Sequence, residues 1–129
     1  MILYPDRMKQ LIDFEGLRYG DKGAPTDIDG LIEYKNKGYI IIELKHNSKG
    51  MPDGQRWAIE RMVKDFKNAG KISIGIVAEH DVDVQYAIPC RDCIVREYYL
   101  STSKNIQWRK PISCVTVGKM IDEFIELYL

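Results

Sequence analysis

The stretch YIIIELKH, residues 39–46, is an apolar run interrupted by two ions, Glu43 and Lys45. Two residues apart on a strand, they point to the same face. Burying an ion alone costs several kcal/mol, so each needs a counter-charge, a metal or open water. The preceding run ends at Tyr34, and the turn signal KNKG joins the two. If Tyr34 and Gly38 close a three-residue loop, the antiparallel register sets Asp29 opposite Glu43 and Asp27 opposite Lys45. Facing carboxylates repel unless something positive lies between them, and two carboxylates with several retained waters describe a Mg²⁺ site. Lys45, one step along the same face, then stands where it can stabilise charge on a phosphate, or orient or deprotonate an attacking water.

The elements that must position these residues follow from periodicity. Pro5 and Asp6 open a segment in which Met8, Leu11, Ile12 and Glu15 fall at helical spacing before Gly16, predicting a helix that runs to about Glu15. Residues 27–34 and 39–45 are β-branched and aromatic around their turn, predicting a hairpin. Gln55, Ile59, Met62, Val63 and Phe66 form one helix stripe that stops at Gly70. KISIGIVAEH predicts a buried strand, and CIVREYYL and IQWRK two more around the turn STSKN. Residues 117–129 form an amphipathic closing helix with Thr116 as its cap. The order predicts an α/β fold, one domain over residues 1–129, with a mixed central sheet flanked by helices.

Composition sets the bounds. The chain has 129 residues, 45% of them hydrophobic and 29% charged, which suits one globular core and excludes intrinsic disorder. Its longest apolar run, residues 39–42, is far below the roughly 20 that cross a bilayer, and residues 1–10 lack a basic-then-apolar leader pattern. A cytoplasmic protein with reduced thiols and no membrane partner is therefore expected. Nineteen basic residues balance nineteen acidic ones, which excludes a generic polyanion binder; any nucleic-acid role must rest on a local site.

The grouping of Asp29 in PTDIDG with Glu43 and Lys45 in IIIELKH resembles the PD-(D/E)XK nuclease superfamily. That superfamily has a restriction-endonuclease-like core of a helix, a strand hairpin and a further helix and strand, and the resemblance spans roughly residues 8–77. It implies a metal-dependent deoxyribonuclease using Mg²⁺, with Mn²⁺ able to substitute. By the same resemblance Asp29, Glu43 and the backbone carbonyl of Leu44 hold the metal, and Lys45 positions or activates the water. Glu15 matches an acidic residue often found on the first helix, because it continues a stripe that would face the sheet. Glu15 and Asp27 would then support a second metal or the waters of the first. Gln55 in GQRWAIERM matches a glutamine that some branches carry on the helix after the tripeptide. The chain is close to a minimal catalytic core, which looks like a repair, recombination or phage-encoded nuclease. The tripeptide alone is no evidence, since composition predicts about two acidic-x-Lys matches and three occur. Glu33 and Lys35 run into a turn and Asp65 and Lys67 lie on a helix; only Glu43 and Lys45 end an apolar strand facing DID.

Competing explanations exist for each group. Asp29, Glu43 and Lys45 could form a cross-strand salt-bridge cluster, making the protein a non-catalytic nucleic-acid or protein-binding module on the same fold. His46 points to the opposite face and suits packing. Cys90 and Cys93 form a lone CxxC that would need Cys114 and His80 to complete a zinc site. Arg96, Lys104, Arg109 and Lys110, beside Tyr98, Tyr99 and Trp108, are the candidate nucleic-acid contacts. With zero net charge, DNA affinity calls for a homodimer that pairs two such hairpins, or for a protein partner.

Overall fold

The computed structural model describes residues 6, 10–21, 23–47, 51 and 53–129. Among the described residues five strands form one mixed sheet in the order β1-β2-β3-β4-β5. They are β1 (Gly30–Tyr34), β2 (Gly38–His46), β3 (Ile72–His80), β4 (Ile94–Leu100) and β5 (Trp108–Arg109), with helices α1 (Asp53–Asn68) and α2 (Val117–Tyr128). Of these five strands, β2 and β3 pair in parallel and the other neighbours pair antiparallel. α1 is the crossover between them, as a parallel pair requires.

The two central strands are apolar on both faces because both faces are covered. Ile41 and Val77 pack under α1 with Ile59, Val63 and Tyr99. Ile40, Ile42, Ile74, Ile76 and Ala78 point the other way, towards Val117 and Phe124 of α2. α1 lies close to β3 where Gly75 sits, and a Cβ there would collide with the Ile59 side chain. Thr116 caps α2, its hydroxyl accepting from the Lys119 N–H at 3.2 Å.

The hairpin closes as its turn predicts, with Tyr34 opposite Gly38. Lys35 and Asn36 take positive φ, 48° and 58°, in the three-residue loop. β1 is shorter than expected, starting at Gly30 rather than at residue 27. The predicted first helix is corrected. Pro5 and Met8 lie outside the described residues, and residues 10–15 are not helical. Leu11 and Ile12 are 97% and 76% exposed, so their stripe faces no sheet. An isolated short helix is marginal without a packed face, and the Asp13 carboxylate takes the Glu15 N–H at 2.8 Å, a local bond that competes with helix. The C-terminal hairpin keeps β4, but its partner β5 is only two residues long. Among the described residues no helix is long and apolar enough to cross a membrane.

Candidate functional site

β2 carries Tyr39, Ile41, Glu43 and Lys45 on the face under α1, and its last residues run out to where β1 has ended. Continuing the Gly30–Ile42 register by one step brings Asp29 opposite Glu43. Asp29 makes no ladder pair there. Its Oδ2 instead accepts the Leu44 backbone N–H at 2.7 Å, replacing the partner that a longer β1 would supply. One side-chain bond thus both ends the strand and pins a carboxylate beside Glu43. In a strand the N–H and C=O of one residue point to the same side. The Leu44 carbonyl therefore faces that same vacated edge.

Glu43 is only 4% exposed. Burial pushes its carboxyl above the ordinary range, Lys45 pulls it back down by a hydrogen bond, and the charge of Asp29 pushes it up again. The Lys45 ammonium lies 3.1 Å from Glu43 Oε1 and donates to Gln55 Oε1 at 2.7 Å. Gln55 sits in the first turn of α1, so the crossover helix delivers the second anchor of the lysine. Asp29, Glu43, Lys45 and Gln55 are thereby gathered as the sequence expected.

The remaining candidates fall elsewhere. Asp27 lines a cavity of about 200 Å³ beside Glu43, together with Thr26, Gln55, Ala58 and Met62. Glu15 is exposed in a turn. Among the described residues no three His, Cys, Asp or Glu side chains are grouped to hold an ion, so neither Glu15 nor Asp27 joins the Asp29–Glu43 pair. The same holds for zinc: Cys90, Cys93 and Cys114 are all free thiols, and burial raises the first two above the ordinary thiol range. His46 packs edge-on against His80, with ring centres 5.3 Å apart, on the face away from Lys45.

The basic residues of the C-terminal hairpin divide. Arg96 occupies the bulge between the Val77–Glu97 and Ala78–Val95 pairs and meets Glu79 at 3.6 Å. Since Glu79 pairs with Lys45, Arg96 lies at the same end of the sheet as the site. Lys104 does not: it follows Leu100, which pairs with Ile74 near the other end. Arg109 and Lys110 lie at or just past the far edge strand, three strands or about 14 Å from β2. The Arg109 guanidinium donates to the Asn105 carbonyl at 3.2 Å, holding its own turn.

The donor set fits a small hard cation. Mg²⁺ is usually bound by one or two carboxylates and keeps several waters, which matches two carboxylates and an open carbonyl and does not match an all-protein cage. Two carboxylates against one lysine also leave one negative charge over, on the exposed Asp29 beside the buried Glu43, which a cation satisfies. Sequence reasoning missed Trp57 and Arg61, which line a groove continuing from the cavity over α1. The signal was present, since Trp57 is a large apolar residue off the Gln55–Ile59–Met62–Phe66 stripe. No protein-family model, no curated protein and no solved structure matches the chain.

Proposed function

We propose that the protein is a metal-dependent deoxyribonuclease on a restriction-endonuclease-like fold, acting in DNA repair, recombination or phage DNA processing. The observation that carries this reading is the clamp on Lys45. A buried glutamate and a helix-borne glutamine fix its ammonium beside a second carboxylate held by a backbone N–H. The charge of Asp29 so close to Glu43 costs stability in the metal-free fold, a cost that a bound cation would relieve. The crossover order hairpin, helix, parallel strand around the site is also that of the nuclease core the sequence resembles.

Asp29, Glu43 and the Leu44 carbonyl would hold Mg²⁺, with Mn²⁺ able to take its place. When bound, such an ion supplies Lewis-acid polarisation of the phosphate and a more acidic water. Glu43 and Gln55 occupy two of the three N–H donors of Lys45, leaving the third for the attacking water or a phosphate oxygen. Gln55 and Glu43 together fix the position of the ammonium, so its remaining donor keeps one direction. Hydrolysis adds the water oxygen to phosphorus and releases the alcohol of the leaving nucleotide; no other co-reactant is required. The test is a gel assay on linear, nicked, branched and single-stranded DNA with Mg²⁺, Mn²⁺ or EDTA. Metal-dependent cleavage is expected, abolished in Glu43→Ala and in Lys45→Ala. Cleavage at the wild-type rate by either variant would sink the assignment.

A further inference from the structure

The cavity that Glu43 lines and a larger groove of about 580 Å³ share two wall residues, Thr26 and Ala58, so the groove over α1 adjoins the cavity at Glu43. Beyond Ala58 the groove is lined by Gly54, Trp57 and Arg61, with Asp21 on its rim. The two tryptophans of the chain are treated differently. Trp108 is built in: its indole N–H donates to Glu60 Oε1 at 2.8 Å, it packs against Tyr99, and the Arg56 guanidinium lies 4.7 Å over its ring. Trp57 is 53% exposed, on the helix face away from the core. The space beside it is open, since a Cβ on Gly54 would meet nothing within 4 Å. Arg61, one helical turn on, shares its face.

We propose that this groove holds an unpaired stretch of the DNA strand to be cut, with a base stacked on Trp57 and a phosphate paired with Arg61. The inference rests on the nuclease reading for the place of the scissile phosphate, and it names the substrate class of that site. A flat aromatic face beside a guanidinium is the means by which proteins hold unpaired bases without sequence preference. A base inside a duplex has no face to offer it. Arg61 and Asp21 nearly cancel, so stacking rather than net charge supplies the affinity, in keeping with a chain of zero formal charge. The path also runs from the site along the helix that carries Gln55, and away from Lys104, Arg109 and Lys110.

The experiment is fluorescence anisotropy of a labelled oligothymidylate and a matched duplex, titrated with the full chain in EDTA so that nothing is cut. Trp57→Ala should weaken single-strand binding about tenfold, the effect of losing one stacked base, and Trp57→Phe should restore most of it. Duplex binding should not move. Arg61→Gln should reduce the salt slope for the single strand by about 0.7, one phosphate contact. With Mg²⁺ and a forked substrate, Trp57→Ala should raise KM while kcat holds. Equal single-strand binding by wild type and Trp57→Ala, or no single-strand binding at all, overturns the groove, as does light scattering in which Trp57→Ala dissolves a dimer. Binding through Trp57 with no cleavage of any substrate supports the groove and fails the nuclease reading. Cleavage indifferent to Trp57 does the reverse.

Discussion

Glu43 is placed where an ionised carboxyl is least comfortable, nearly buried with Asp29 beside it, and only Lys45 offsets the cost. Its proton affinity is raised, so the folded state binds a proton more tightly than the unfolded chain does. Stability of the metal-free protein should therefore be highest below the ordinary carboxyl value of 4.5 and decline as pH rises through the raised folded value. Glu43→Gln removes that decline. Thermal melts in EDTA are expected to show Glu43→Gln above wild type at pH 8 and the two converging near pH 4. A wild type that melts higher at every pH would mean that the carboxylate is fully compensated without metal. Lys45→Ala acts in the opposite sense, leaving Glu43 with no counter-charge. It should cost about 1–3 kcal/mol in EDTA, and Mg²⁺ should recover more of that loss than it adds to wild type.

At the scale of elements, three pieces of backbone converge on the site: the end of β1, the end of β2 and the first turn of α1. Asp29 joins the first two, so Asp29→Asn should abolish the stabilisation that Mg²⁺ gives the wild type, about 2.7 kcal/mol at a hundredfold excess over Kd. Asp27→Asn, which alters only the cavity wall, should weaken it less; denaturant titrations with and without metal decide, and the reverse order would exchange the roles of the two aspartates. α1 is held at its distance from the sheet by Gly75. Gly75→Ala pushes against Ile59 and should cost about 1–3 kcal/mol as overpacking. Because the same shift moves Gln55 away from Lys45, cleavage should fall further than the unfolded fraction explains, as kcat measured well below the melting temperature will tell. The pairing of Asp29 with Glu43 was legible in the sequence because a period-two pattern and a short turn together leave one register for the hairpin. The α1 stripe and the Thr116 cap were legible for the same reason, each being a local pattern with one geometric solution. The first helix was misread because Leu11 and Ile12 make a stripe only if something covers it, and Asp13 offers the backbone a local bond instead. Nothing local told how far the C-terminal hairpin stands from Glu43. That distance is set by strand order, which the parallel β2–β3 crossover decides, and it removes Lys104, Arg109 and Lys110 from the site of their own chain.

For the whole molecule, the proposed nuclease activity raises the question of how a chain of zero formal charge would retain a polyanion at a site made of two carboxylates. Metal at the site cancels the local excess but adds little reach. Arg96, at the site's end of the sheet, is engaged with Glu79, and Arg109 and Lys110 lie at or just past the opposite edge. Within one subunit, then, those two cations lie too far away to touch a phosphate held at Glu43. They can touch a more distant part of the same duplex, or a duplex delivered by a second copy. A two-fold pair is the smaller addition, since one symmetric contact brings both hairpins and both sites to one substrate. A homodimer is therefore expected, with duplex affinity that falls steeply with salt. Replacing Arg109 and Lys110 together by Ala should weaken duplex binding and reduce the salt slope by nearly two phosphate contacts, about 0.9 each. Metal-induced stabilisation should be untouched, because neither residue approaches Asp29 or Glu43. Light scattering that finds a monomer at micromolar concentration, with full duplex cleavage by the double variant, would discard both the dimer and this surface.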